Sequence, residues 1–305
     1  MSRIGFGWFL PNGPESPEAR ATFVADVDRN LQAVTGHFTS AWMADHLQAE
    51  MHDMLEAWTT LTYYAARHPA LLFGHGVLCQ SYRNPALLAK TAATFQYLTG
   101  GRLLFGLGAG WKEDEYLAYN YPFPSPGTRV AELGETLQIV KAMWTQEQAT
   151  FEGQHYQVHA AYCEPKPDPI PPIVIGGRQP RILRLIAREA DWWDVSGFSL
   201  ARTDYPALVA EMDRACAEVG RDPQTLRRTF SASCACAPTE AAVAALAEGM
   251  RPGRGFVGTP AQIVDQLRPF IDLGVDHFQL SFNGFPDTAP VELFIAEVLP
   301  ALAAL

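Results

Sequence analysis

The sequence has 305 residues, of which 48% are apolar and 18% are charged, a composition typical of a folded globular protein rather than a disordered one. Its formal net charge of −10 argues against nucleic acid or an anionic membrane as a partner, because both attract a basic surface. Five cysteines without a zinc-like spacing, no signal peptide and no run of 18 apolar residues lead us to expect a reduced, cytoplasmic protein.

Short apolar runs alternate with helical patterns along the first half of the chain. The apolar runs are strand-sized, and each is closed by a turn signal such as Pro11-Asn12-Gly13-Pro14. Asn84 and Pro85 predict the start of a helix that ends at Gly100-Gly101. The predicted strands are 4–10, 38–44, 71–79 and a fourth that begins at Arg102, and the helices lie between and after them.

The alternation pauses after the fourth helix, in a segment of about residues 147–172. Residues 151–156 look like a small hairpin, and the prolines that follow exclude regular structure. Because strands and helices resume at Ile173, we interpret this segment as an insertion in one domain and not as a domain linker. The later predicted strands are 173–177, 192–196, 229–237 and 277–282.

Eight strands alternating with helices predict an α/β fold, a (β/α)₈ TIM barrel that forms a single domain over 1–305. The alternative is an open doubly wound sheet. Against it, no strand is followed by the Gly-x-Gly-x-x-Gly fingerprint with an acid about 20 residues further on. Gly106, Gly108 and Gly110 have the wrong spacing for that fingerprint.

The glycines at the end of the fourth strand form a conspicuous local signal. Gly106, Gly108 and Gly110 alternate and are followed by Trp111. Alternate glycines leave one strand face without side chains, so a flat ligand could lie against the main chain there. The alternative is a strand end that needs glycine for a turn.

In a barrel of this kind the functional side chains gather at the carboxyl ends of the strands. Several of these ends are rich in glycine and apolar residues, which suits a flat heteroaromatic cofactor. We therefore predict cofactor contacts at Gly76, Val77, Leu78, Cys79, Gly108, Gly110, Trp111, Gly176, Gly177, Arg178 and Ser196. The free amides after Gly177, with Arg178 or Arg181, favour a phosphate, although a plain helix start is the alternative.

His46 and Asp45 follow the second strand and are the predicted catalytic residues. A histidine there can orient a substrate or move a proton near neutral pH. The alternative is that both residues satisfy backbone groups in a loop. His75 lies within the third strand and is predicted to fill the barrel interior. His46 and His52 have no evident third ligand, so metal chemistry is weakly supported.

Several segments resemble the bacterial-luciferase-like monooxygenase family, in particular its branch that depends on the deazaflavin coenzyme F420. The resemblance covers most of the chain in the family's order. The matching segments are Ala44-Asp45-His46-Leu47, Leu55-Glu56-Ala57-Trp58, Tyr82-Arg83-Asn84-Pro85 with Leu88-Ala89-Lys90, Gly100-Gly101-Arg102, Gly106-Leu107-Gly108-Ala109-Gly110-Trp111 with Glu115, Phe151-Glu152-Gly153, Pro165-Lys166-Pro167 and Pro172-Ile173-Val174-Ile175-Gly176-Gly177.

The resemblance implies a TIM barrel with an insertion between strands four and five and a flavin or deazaflavin ring in its mouth. It also implies a bulge at Gly76 and Val77, often with a non-proline cis peptide. Cofactor contacts at Gly176, Gly177 and the turn of Val195 and Ser196, which would hold the phosphate, are implied as well. His46 would stand near the reacting carbon.

Three residues depart from the family pattern. Trp111 replaces the glutamate of the sugar-phosphate dehydrogenases, which argues against that activity. Cys79 stands where a hydroxyl residue is common, which leaves a polar contact to the ring open. The segment Arg178-Gln179-Pro180 replaces further glycines, which leaves the mode of phosphate binding open.

The expected function is that of an oxidoreductase that transfers hydride between coenzyme F420 and a small organic substrate. One alternative is an FMN-dependent monooxygenase that uses reduced flavin and dioxygen. A second, of another class, is a non-catalytic flavin-binding partner protein, and a third is a metal-dependent hydrolase. The resemblance also implies a homodimer, and we expect neither a nucleic acid nor a membrane as a partner.

Overall fold

The computed structural model describes residues 4–50 and 53–304, and in them eight parallel strands close into a barrel. Numbered first to eighth, these barrel strands are Gly5–Phe9, Ser40–Met43, Leu72–His75, Leu103–Gly108, Ile173–Gly176, Trp192–Ser196, Arg227–Cys236 and Val275–Phe282. Each strand pairs with its neighbours in the chain, and the eighth closes on the first through the pair Gly5 and His277. The predicted (β/α)₈ TIM barrel is confirmed.

Helices surround the barrel and bury their apolar faces against the outside of the strands. The Asn84 side chain accepts hydrogen bonds from two amides of its helix, as the Asn-Pro start predicts, and Gly100 ends that helix at φ +65°. The α-helices are Phe23–Val34, Ala57–Arg67, Pro85–Thr99, Glu113–Ala118, Pro126–Thr145, Pro180–Glu189, Tyr205–Glu218, Glu240–Leu246, Pro260–Asp272, Ala289–Leu293 and Leu299–Ala303, with a π-helical turn at Phe294–Val298. None of the helices in the described ranges has the length and apolarity needed to cross a bilayer.

The segment between the fourth and fifth strands contains an antiparallel hairpin of Ala149–Glu152 and Gln157–Ala161. The Glu135 carboxylate accepts hydrogen bonds from the amides of its turn, residues 154, 155 and 156. Two short elements were absent from the sequence interpretation, the helix Glu113–Ala118 and the strand Phe256–Gly258. Both are shorter than the window that a periodic pattern needs.

Large apolar side chains fill much of the barrel interior. The cluster consists of Phe9, Trp42, Leu104, Val174 and Trp192. Gly7 and Gly74 make room for Trp42, because a Cβ atom on either would lie 2.5 Å from its ring. The glycines of the first and third strands are therefore packing residues.

The prediction that His75 fills the barrel interior is wrong. Alternation along the third strand turns Gly74 inward and His75 outward, where its ring packs at 4.4 Å from that of Trp58 on the Ala57–Arg67 helix. Burial lowers the pKa of His75 to about 3, and neither ring nitrogen has a partner among the described residues. His75 is therefore a neutral packing residue behind the strand.

Candidate functional site

The third barrel strand is interrupted by a bulge at the barrel mouth. Its first part ends at His75, the Gly76–Val77 peptide bond is cis, and a second short strand, Leu78–Cys79, pairs with the fourth barrel strand. The bulge and its non-proline cis peptide agree with what the resemblance implies. Gly76 and Val77 are partly exposed, whereas Leu78 and Cys79 are buried. Of the four residues predicted to contact the cofactor here, Gly76 and Val77 are therefore the accessible ones.

The glycines of the fourth strand receive this bulge. A Cβ atom on Gly106 would lie 1.7 Å from the His75 carbonyl oxygen, and one on Gly108 would lie 2.7 Å from Cγ2 of Val77. A Cβ atom on Gly176, at the end of the fifth strand, would lie 3.2 Å from the same side chain. The interpretation that the bare face of Gly106 and Gly108 meets a ligand is therefore corrected: Val77 and the His75 carbonyl occupy that face.

Gly110 lies just beyond the fourth strand and has a positive φ of 76°. A Cβ atom there would lie 2.0 Å from the Tyr116 hydroxyl and 2.7 Å from the Cys79 sulfur. The Cys79 Sγ and the Tyr116 hydroxyl are 3.1 Å apart, and burial raises the pKa of the Cys79 thiol. This thiol therefore packs as a neutral group beneath the wall of the mouth.

His46 lies in the loop after the second strand, and its side chain is 28% exposed. Its Nδ1 atom is 3.0 Å from Oε1 of Glu115, and its ring meets the Trp111 ring edge to face at 5.9 Å. Because a carboxylate only accepts hydrogen bonds, we assign the hydrogen to Nδ1. The Nε2 atom of His46 has no hydrogen-bond partner among the described residues and is then the nitrogen available to a substrate.

Glu115 is the centre of this polar cluster and is only 1% exposed. Besides His46, its carboxylate accepts hydrogen bonds from the Leu47 amide at 3.2 Å and the Tyr82 hydroxyl at 2.8 Å, and Lys112 Nζ lies 3.5 Å away. A buried carboxylate with several donors is held in one position. The sequence reasoning assigned Glu115 no role, although the residue stands in the segment that carries the resemblance.

Asp45, the second predicted catalytic residue, uses its carboxylate elsewhere. Arg83 donates to both of its oxygens, at 2.6 and 2.9 Å, and the Cys79 amide donates at 2.9 Å. Arg83 also donates to Glu56 at 2.7 Å. Asp45 thus ties the far end of the bulge to the second strand, and its charge is compensated by a bidentate partner.

Trp111 is 71% exposed and stands beside His46 at the entrance of the mouth. Its neighbour Lys112 is paired with Asp114 at 2.5 Å and lies 3.5 Å from Glu115. The indole thus presents an apolar face to solvent, and the adjacent positive charge is already neutralised. This side of the mouth is suited to a flat or apolar group.

The opposite side of the mouth consists mainly of backbone. Gly177 is closely packed, because a Cβ atom there would lie 2.6 Å from Ile182, and its carbonyl accepts a bond from the Trp193 indole at 2.8 Å. The helix Pro180–Glu189 begins without a side-chain cap, so its first amides are free for another acceptor. Arg178 is exposed just before it.

The two predicted residues of the sixth strand are placed differently. Val195 is buried in the core outside the barrel, so its side chain does not reach the mouth. Ser196 is exposed at the strand end. In the part of the chain that the structure describes, no group of three His, Cys, Asp or Glu side chains could hold a metal ion, and His52 lies outside that part.

Comparison with known proteins gives consistent matches. The family model of luciferase-like monooxygenases matches residues 4–256. An F420-dependent glucose-6-phosphate dehydrogenase of Intrasporangium calvum is 26% identical over 317 residues, which cover 92% of this chain and 95% of that protein.

Solved structures show the same fold. An F420-dependent secondary alcohol dehydrogenase in complex with an F420-acetone adduct superposes with a TM-score of 0.83 at 19% identity, over 98% of this chain and 99% of that one. The oxygenating constituent of 3,6-diketocamphane monooxygenase from Pseudomonas putida, in complex with FMN, superposes with a TM-score of 0.79 at 17% identity, over 98% of each chain.

Proposed function

The chain belongs to the luciferase-like monooxygenase family, and from this premise we propose that it is an oxidoreductase that binds coenzyme F420 or FMN at the barrel mouth. The proposal is carried by the position of His46, which lies beside the mouth with Nδ1 fixed by the buried Glu115 and with no partner for Nε2 in the described part of the chain. We favour hydride transfer with coenzyme F420, because the relative that matches along nearly its whole length is named for that cofactor. Monooxygenation with FMN is the alternative, supported by the FMN-bound structure of the same fold.

The residues present fit such a cofactor. Gly76 and Val77 form a partly exposed apolar ledge, suited to the flat face of a ring. Across the mouth, the uncapped amides of the Pro180–Glu189 helix and the exposed Arg178 suit a phosphate. The ledge on the third strand meets the fifth strand, because a Cβ atom on Gly176 would lie 3.2 Å from Val77, so the ledge would hold the ring and the helix start would hold its phosphorylated tail.

When bound, the cofactor would supply or accept hydride, or in the case of reduced FMN would activate dioxygen. The protein's own part is the proton transfer. His46 Nε2 takes a proton from, or gives one to, the substrate oxygen on which charge changes as its carbon loses or gains hydride. Glu115 holds the His46 imidazole through Nδ1 and stabilises its positive charge when Nε2 is protonated. The Tyr82 hydroxyl donates to the second oxygen of the Glu115 carboxylate and fixes it.

We propose that the substrate is small and uncharged near His46. Trp111 takes the place at which sugar-phosphate dehydrogenases of this family carry glutamate, and it presents an exposed indole. Lys112 is neutralised by Asp114 and Glu115, so it is not free for a phosphate. We therefore do not propose glucose 6-phosphate, which the relative's name contains, as a substrate of this chain.

Titration of the purified protein with coenzyme F420 and with FMN tests the proposal. We expect at least one of them to bind with a dissociation constant in the micromolar range or below, detected by absorbance or fluorescence quenching. Riboflavin, which lacks the phosphate, serves as the control and should bind more weakly than FMN. If neither coenzyme F420 nor FMN binds, the proposed function is wrong.

We also propose that two copies of this chain, each a single domain, form a homodimer. The Pro85–Thr99 helix exposes Leu87, Tyr97 and Leu98 by 62%, 66% and 68%, and Tyr63 is exposed on the Ala57–Arg67 helix. Exposed apolar side chains concentrated on neighbouring helices are typical of an interface. A reducing compartment such as the cytoplasm is proposed as the location, because all five cysteines are free and buried.

Light scattering after size exclusion tests the dimer. The wild type should elute as a dimer, and Leu98→Glu should shift it to a monomer, because the charge would be buried at the interface. Val219→Glu changes another exposed apolar residue and should leave the dimer intact. A monomeric wild type would contradict the proposed dimer and leave the proposed chemistry untouched.

A further inference from the structure

A buried carboxyl group lies inside the barrel below the mouth. Asp194, in the middle of the sixth strand, is 4% exposed, and its Oδ1 accepts hydrogen bonds from the Thr229 hydroxyl at 2.7 Å and from Gln279 Nε2 at 3.1 Å. Gln279 also donates to Thr229 at 3.2 Å. Both partners are neutral, and Asp194 forms no ion pair with any residue in 4–50 or 53–304.

Gln279 connects this carboxyl group to the bulge. Its Oε1 atom would lie 3.2 Å from a Cβ atom on Gly76 and has no hydrogen-bond partner among the described residues. Gly176 stands opposite Asp194 in the parallel register, and a Cβ atom on Gly176 would lie 3.2 Å from Val77. The carboxyl group thus lies one side chain below the residues proposed to support the ring.

The surroundings of Asp194 provide no positive charge to balance it. Burial raises the pKa of Asp194 to about 6. From the eighth strand, His277 also lies in the interior, but burial lowers its pKa to about 3 and its Nε2 is 3.0 Å from Ser40 Oγ, so it stays neutral. Outside the barrel, Tyr205 stacks on Trp193, and burial raises its pKa.

We propose that Asp194, held by Thr229 and Gln279, sets the balance between the oxidised and the reduced cofactor. The inference rests on the proposed function. Hydride carries a negative charge to the ring, and a carboxylate buried nearby without a counter-charge disfavours that form. Asp194 acts on the cofactor through the field across the bulge, so it is a positioning and tuning residue and not a catalytic one.

The test compares wild type with Asp194→Asn, which keeps the size of the side chain and removes the charge. Dissociation constants for oxidised and reduced FMN, or coenzyme F420 if only that binds, are measured without oxygen at pH 7.5. In Asp194→Asn the ratio of the two dissociation constants should change about tenfold in favour of the reduced cofactor. This change corresponds to a reduction potential that is higher by about 30 mV for a two-electron couple. An unchanged ratio would overturn the proposal.

Two further variants sharpen the test. Asp191→Asn changes the carboxylate just before the same strand, which accepts the Ile173 amide at 2.8 Å, and should leave the ratio within about twofold of the wild type. At pH 5 the wild type should approach Asp194→Asn, because its own carboxyl group is then largely protonated. Thr229→Val removes a hydrogen bond to the carboxylate, so the ratio of dissociation constants should approach that of Asp194→Asn at a higher pH than in the wild type.

Thermal unfolding separates this inference from the proposed function. A folded-state pKa raised from the ordinary value of 3.8 to about 6 means that the cost to stability is absent below the unfolded pKa, grows as the pH rises between the two values and is complete above about pH 6. Asp194→Asn should therefore melt a few degrees higher than wild type at pH 8 and at nearly the same temperature at pH 4. If Asp194→Asn does not melt at a higher temperature than the wild type at pH 8, Asp194 does not carry a buried, uncompensated charge and the inference is wrong. Failure of the wild type to bind either cofactor would instead overturn the proposed function.

Discussion

The two sides of the barrel mouth are built in opposite ways. On the side of the second to fourth strands, buried side chains hold one another, as Glu115 holds His46 and Tyr82 and as Arg83 holds Asp45. On the side of the fifth and sixth strands, the surface consists of glycine backbone and an uncapped helix, with an exposed cation beside it.

Under the proposed function, this difference would separate two tasks in one site. Proton transfer needs a side chain held within a few tenths of an ångström, which a buried hydrogen-bonded cluster provides. Recognition of an anionic tail needs only free amides and a positive charge, which tolerate more movement. Substitutions on the first side should therefore change turnover, and substitutions on the second side should change cofactor affinity.

His46→Ala should produce the largest effect. Turnover should fall by about 10²-fold or more, because the proton donor or acceptor is lost, while cofactor affinity stays within about twofold. The measurement follows the cofactor's visible absorbance with a panel of small neutral alcohols and carbonyl compounds. His37→Ala, an exposed histidine after the first helix, is the matched control. Unchanged turnover would remove His46 from the mechanism.

Glu115→Gln should lower turnover by about 10- to 30-fold, less than the loss of His46 itself. The amide keeps the size of the side chain but no longer stabilises the positive ring of His46. The effect should lie in kcat, with KM and cofactor affinity nearly unchanged, and nitrogen NMR should show a mixture of His46 tautomers. Glu113→Gln changes an exposed carboxylate two residues earlier and should be silent. A single unchanged tautomer would contradict the role of Glu115.

Gly108→Ala tests the bulge, which borders both sides. The new methyl group would lie 2.7 Å from Val77 Cγ2, so the Val77 side chain must move. We expect cofactor affinity to fall by about tenfold, roughly 1.4 kcal/mol, in a protein that still folds. At Gly134 in a helix, a Cβ atom would lie at an ordinary 3.6 Å from Leu185, so Gly134→Ala is the control. Wild-type affinity in Gly108→Ala would argue against a ring on this ledge.

Arg178→Ala should have the smallest effect of the four. The loss of one exposed charge should weaken FMN binding by about fivefold at low salt and leave riboflavin binding unchanged. Arg184→Ala, on the helix that follows, removes an arginine already paired with Glu218 at 2.7 Å and should not affect either ligand. Equal weakening of FMN and riboflavin would show that Arg178 does not bind the phosphate.

Residue patterns along the chain specify the architecture and predict where a catalytic residue would stand. Eight strand patterns alternating with helices specify a barrel, because each element must bury one apolar face against its neighbours. His46 was identified because it follows a strand at the carboxyl end, where barrel sites form. The bulge at Gly76 and Val77 was identified through the family resemblance and is present.

The residues that surround His46, and the face that each side chain takes, follow from the three-dimensional arrangement of the strands and loops. Glu115 contacts His46 across 69 positions in the chain, and Arg83 neutralises Asp45 across 38. The direction of His75 depends on the register of its strand, and a shift by one residue reverses it. Such contacts join segments far apart in the chain, and a local pattern of residue types carries no information about which distant groups will meet.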